Sequence, residues 1–155
     1  MSNRFWQKCN LLLYFTLVLL IGCNTAHLSD LQQAQQLRQS GQTERAIEIY
    51  KKHLEQRLNS KGLLPNENPY FYEILIGDIY LEQGKASEAL GAYKTAREHE
   101  VERSLVADRI RQAARCYENN KAYDAAIELL KENRELDELG IDSEIDRIYR
   151  KTLDN

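Results

Sequence analysis

Few residues in this chain are of a type and spacing that could do chemistry. Arg111 and Arg115 stand four apart, so on a helix both guanidinium groups leave the same side. Such a pair can fork onto carboxylates. The carboxylates could belong to a partner or to this chain, for instance Asp78 or Glu118, and the spacing leaves both readings open. His27, His53 and His99 each lack a second His or Cys three or four residues on, so none starts a metal site. Glu98, Glu100 and Glu102 surround His99 in the manner of a solvated helix end. There is no glycine-rich phosphate loop, Ser-x-x-Lys pair or Gly-x-Ser-x-Gly elbow. No metal, cofactor or catalytic residue is therefore expected, and the chain reads as a non-enzyme.

The thiols are more telling. Residues 11–21, LLLYFTLVLLI, are apolar apart from Thr16, and Arg4 and Lys8 precede them with no acid in the first 22 residues. A basic start and a short apolar run make a secretory signal. The run is shorter than the roughly 20 residues that span a bilayer, although Phe5 and Trp6 could lengthen it into an uncleaved anchor. Leu20-Ile21-Gly22-Cys23 closes the run and resembles the lipobox of bacterial lipoproteins. The resemblance implies that residues 1–22 are removed and that Cys23 becomes an acylated N-terminus, its sulfur carrying the diacylglyceryl group. The alternative is an ordinary signal with a chance cysteine. Asn24, where aspartate would favour retention at the inner membrane, points to the outer membrane facing the periplasm in a Gram-negative host. Otherwise the expected location is the outer face of the cytoplasmic membrane. The bilayer is thus one expected partner, reached through Cys23. With Cys9 in the signal and Cys23 as anchor, Cys116 is left without an internal disulfide partner. It is either a half-buried small residue or a link to another chain.

The whole chain carries a charge of −3, and loss of Arg4 and Lys8 leaves −5. That argues against nucleic acid and against a polybasic lipid contact. The 155 residues suit one domain, 29% of them are charged, and only two are proline. Alternating Val/Ile/Thr runs with Asn-Gly or Asp-Gly turns are missing, so the fold is expected to be all-α.

The elements that position these residues repeat. Ala46, Ala89 and Ala126 each follow a turn sequence, and four positions later stand Tyr50, Tyr93 and Leu130. About twelve positions before each alanine lie Ala34, Gly77 and Ala114, each followed three residues on by Leu37, Tyr80 and Tyr117. Gly41 and Gly84 mark the first two turns, and Lys121 stands at the third. Small residues let paired helices approach, and large ones fill the gap to the next pair.

This pattern resembles the tetratricopeptide repeat, a helix-turn-helix unit of about 34 residues. The units would span about 27–60, 70–103 and 107–140, with 23–28 as a lipidated tether and 141–155 as a capping helix and tail. His53 and Asn133 depart from the small residue usual late in the unit. The first two alanine marks lie 43 apart and the next two 37 apart. Asn59 to Pro69 absorbs the first excess, and Leu63 and Leu64 there either pack on the stack or meet a partner.

The resemblance implies a right-handed superhelical stack of about three pairs plus a C-terminal capping helix, with a groove lined by the first helix of each pair. Aligned groove positions are Leu31, Gln35 and Arg38, then Ile74, Asp78 and Leu81, then Arg111, Arg115 and Glu118, with Phe71 as the aromatic member. It also implies a lipid-anchored adaptor or scaffold that holds another envelope protein or a peptide segment during assembly or regulation of an envelope complex. Two alternatives stand beside it: a self-associating structural lipoprotein, forming a homo-oligomer, and a non-catalytic accessory of a cell-wall or secretion enzyme. Leu31 and Gln35 occupy positions where some relatives clamp a terminal carboxylate with Lys and Asn.

Punctuation predicts the helix ends. Ser29 with Gln32 makes a capping box, Thr43 and Ser104 open later helices, and Asn68-Pro69 opens another with proline at its first position. Gly140 is expected to end the sixth helix and Asp142 to cap a last one. That helix would bury Ile145, Ile148 and Tyr149 and expose Glu144, Asp146, Arg147 and Arg150.

Overall fold

The computed structural model describes residues 29–60 and 68–153. The signal, Cys23, Asn24, His27, Leu63 and Leu64 lie outside these residues. The described chain is all-α, without a strand. Its helices are α1 (Asp30–Gln39), α2 (Thr43–Leu58), α3 (Phe71–Glu82), α4 (Ala86–Glu98), α5 (Arg103–Asn119), α6 (Tyr123–Glu132) and α7 (Glu138–Leu153), with a 3₁₀ turn at Arg134–Leu136 before α7. None of the described helices is long and apolar enough to cross a membrane.

Three-residue connections join α1 to α2, α3 to α4 and α5 to α6, which makes each pair antiparallel neighbours. The three turns share one geometry. Gly41, Gly84 and Lys121 take φ of +78°, +74° and +61°. The next residue in each donates its N–H to the carbonyl six-to-one across the turn: Gln42 to Leu37 at 2.8 Å, Lys85 to Tyr80 at 2.9 Å and Ala122 to Tyr117 at 2.9 Å. This closure satisfies carbonyls the helix leaves over and needs a left-handed residue. Glycine enters that region freely, and Lys121 does so at a steric cost. Glu100 ends α4 the same way with φ of 60°.

Local signals set most other ends. The capping box of Ser29 and Gln32 is formed in both directions. Thr43 is the first residue of α2 and gives no side-chain cap. Its hydroxyl instead accepts from Gln83 Nε2, so a contact between turns displaces the expected cap. Asn68 accepts the Tyr70 N–H at 3.0 Å, and α3 proper starts at Phe71, two residues after Pro69. Arg103, not Ser104, begins α5.

The C-terminal boundary differs most from expectation. α6 stops at Glu132, and α7 runs through Gly140. Asp137, not Asp142, caps it by accepting the Gly140 N–H at 3.1 Å, while Asp142 pairs with Arg134. Asp137 is followed at once by a helical run, so it satisfies the early N–H groups of α7.

Packing depends on close approach. Ala34, Ala46, Ala89, Ala114 and Ala126 are fully buried. A Cβ on Gly77 would run into the Tyr93 ring, with Cδ1 at 2.8 Å. Tyr93, Ile74, Val106, Ala114, Leu130, Ile141 and Ile148 belong to one core cluster over α3 to α7, with Tyr80 and Tyr117 at its margin. A smaller cluster joins α1 and α2 to α3 through Ala34, Ala46, Ile47, Tyr50, Ile76 and Ile79, with Leu37 alongside.

Candidate functional site

Residues from the first helix of each pair meet in one cleft of about 310 Å³. Arg38 comes from α1, Asp78, Leu81 and Glu82 from α3, and Gln112 and Cys116 from α5. Arg38 donates to both Glu82 oxygens, at 2.9 and 2.5 Å. That bidentate fork spans two pairs and forms one wall. Asp78 takes the Tyr93 hydroxyl at 2.9 Å and Arg109 Nε at 2.7 Å. Burial, and then Asp78, push the Tyr93 hydroxyl above the ordinary tyrosine value. The phenol therefore stays protonated as a donor. Leu81 is half-buried, and Cys116 is a half-buried free thiol.

The structure brings Arg38, Asp78 and Leu81 together. Gln35 is exposed one turn earlier on α1. Phe71 precedes Asp78 by seven residues, so it shares the same stripe of α3 and is exposed. Ile74 does not line the cleft: its side chain is fully buried in the core, because it points between α3 and its neighbours.

Arg111 and Arg115 are also not in the cleft. Arg111 donates to Asp137 at 2.5 Å and to Asp108. Arg115 donates to Glu144 at 2.9 Å. The internal reading of this pair therefore holds, but with partners other than Asp78 and Glu118. Residues 111, 115 and 118 form the flank of α5 that faces α7. The flank bordering α3 belongs to Gln112 and Cys116, one position on, and one position rotates the direction by about 100°.

Along that seam Arg147 is the hub. It donates to both Glu118 oxygens, one at 3.0 Å, and to both Glu144 oxygens at 3.1 Å. Lys151 reaches Glu118 at 2.7 Å. The Glu118 side chain is only 5% exposed. Arg147, opposed by burial and helped by Lys151, holds its pKa down to about 2. Burial pushes the Glu144 pKa up, but Arg147 and Arg115 together bring it below the usual range. Glu144 is thus buried where solvent was expected, and Tyr149, expected in the stripe, is exposed beside Lys131. Gly140 leaves room here, since a Cβ would meet Asp137 and Arg111 Nη1.

The described residues hold no group of three or more His, Cys, Asp or Glu side chains arranged for a metal ion. Glu82, Gln112 and Cys116 line the cleft without having been singled out by the repeat alignment. Comparison with protein-family models gives no match, and comparison with curated proteins gives none either.

Proposed function

We propose that this chain is a lipid-anchored tetratricopeptide-type adaptor of a bacterial cell envelope, which holds a segment of another envelope protein in its cleft. The single observation that carries the reading is the cleft itself, to which α1, α3 and α5 each contribute side chains. A groove assembled from the first helices of successive pairs is what a superhelical stack of such units offers a partner. The shared φ and hydrogen bonding of the three turns support the same repeat. So do the small residues Ala34, Gly77 and Ala114 at matching places. The lipid anchor rests on the sequence around Cys23.

The fork between Arg38 and Glu82 is solvent-accessible on the Glu82 side, so a partner's charged group can exchange with it at small cost. The half-buried pair of Asp78 and Arg109 ties α3 to α5 beside the cleft.

In-cell crosslinking with mass spectrometry of the tagged full chain tests this, run beside an Arg38→Glu/Gln112→Arg variant. A partner captured by the wild type and lost from the still-helical variant supports the adaptor reading. Equal capture by both removes the cleft from it. Labelling with a radioactive fatty acid, with Cys23→Ala as control, tests the anchor separately.

A further inference from the structure

We propose that one edge of the helix stack, formed by the N-terminus of α1, the C-terminus of α2 and the N-terminus of α3, lies against the lipid surface. The inference rests on acylation of Cys23. Six Cα steps separate Cys23 from Ser29, so the tether reaches at most about 21 Å when fully extended. The edge from which α1 starts is thereby held close to the bilayer.

Contacts define that edge. His53 of α2 lies 3.4 Å from Asp30 of α1, and its ring is 5.8 Å from that of Tyr72 in α3. Asn68 Nδ2 donates to the His99 carbonyl at 2.7 Å, and the Tyr70 and His99 rings stack at 3.5 Å. The α3 start therefore sits beside the α4 end. The opposite edge holds the three turns, where Gln83 meets Thr43.

Large apolar side chains are exposed at both edges, Tyr149 (45%) and Leu153 (84%) standing at the far one, and it is the tether that selects between them. Leu31 (37% exposed), Leu58 (47%) and Phe71 (44%) are exposed at the tether edge. Each lies within two residues of a helix end there. Water contact of three large apolar side chains is unfavourable, and insertion at the headgroup boundary relieves it. An exposed phenylalanine suits the apolar side of that boundary. The edge carries Asp30 as well as Arg57, so the contact depends on apolar insertion and not on anionic lipid. Docked this way, the helices stand off the membrane, the three turns point away from it, and the cleft opens along the surface.

The test uses the full chain, expressed, processed and reconstituted in phosphatidylcholine vesicles. The only tryptophan is Trp6, so removal of the signal leaves none and a single one can be placed at will. Phe71→Trp and Leu58→Trp report the tether edge. Tyr149→Trp reports the far edge, where Tyr149 shares a surface hollow with Lys121, Ala122 and Tyr123. A mass spectrum of each purified protein first reads whether Cys23 is the acylated N-terminus; if it is not, the anchor fails and the docking proposal falls with it. On acylated protein, lipid brominated near the headgroup should cut emission from the two tether-edge tryptophans about twofold and leave Tyr149→Trp nearly unchanged. Equal emission with brominated and plain lipid at all three positions, or equal quenching at both edges, overturns docking while leaving the anchor intact.

Discussion

The cleft and the seam use the same side chains for opposite ends. In both, arginines meet carboxylates between neighbouring helices. At the seam, α7 covers one flank of α5, and Glu118 and Glu144 are nearly closed off from water. Their oxygens are taken up by Arg115, Arg147 and Lys151. At the cleft no described helix covers the Arg38–Glu82 pair, and Glu82 stays 56% exposed. Covered charges must be fully matched, because an unmatched one loses its hydration. Open charges have water as a substitute and so remain available. The seam ties α7 to α5, and the cleft leaves polar groups open to water.

The sharpest way to break this contrast is Arg147→Ala. It strips the hub from two buried carboxylates and should cost about 3–4 kcal/mol of stability at neutral pH, measured by urea unfolding. A loss below 1 kcal/mol would place the seam with ordinary surface pairs. Acid should act on the same pair. The Glu118 pKa is about 2 in the folded chain against an ordinary 4.5. The unfolded chain therefore binds that proton more readily. The contribution of this group, about 3 kcal/mol, is complete above about pH 5 and fades as the pH falls toward 2. The Arg147→Ala variant should show a flatter decline over that window.

A smaller effect is expected at the turns. The first two turns carry glycine, and the third, next to the seam, carries Lys121 at φ of +61°. Lys121→Gly should raise stability by about 0.5–1 kcal/mol, read as a higher midpoint with an unchanged urea slope. The smallest change is expected for Arg38→Ala, less than about 1 kcal/mol, because its partner remains hydrated. A larger loss would show that the fork is structural and weaken the cleft as a binding surface.

Much of this molecule was legible locally. The Ser29–Gln32 box, the left-handed positions Gly41 and Gly84, and the small residues at Ala34, Gly77 and Ala114 depend on chemistry within a few residues or on a helical period. The end of α6 was not legible, because Asp137 and Asp142 are both competent caps five residues apart. The core around Leu136 and Ile141 decides between them. Thr43 shows the same limit, since Gln83 from another turn takes its hydroxyl.

The sequence by itself determined the helical class, the rhythm of the pairs and the tight turns, since these follow from side-chain size and backbone freedom at known spacing. Only the tertiary structure decided what the charges do. Arg111 and Gln112 are adjacent in sequence, yet one faces α7 and the other the cleft. That choice depends on how α5 is rotated against two neighbouring helices. Rotation is set by how Val106, Ile110, Ala113 and Ala114 pack, a many-body fit that no single spacing encodes.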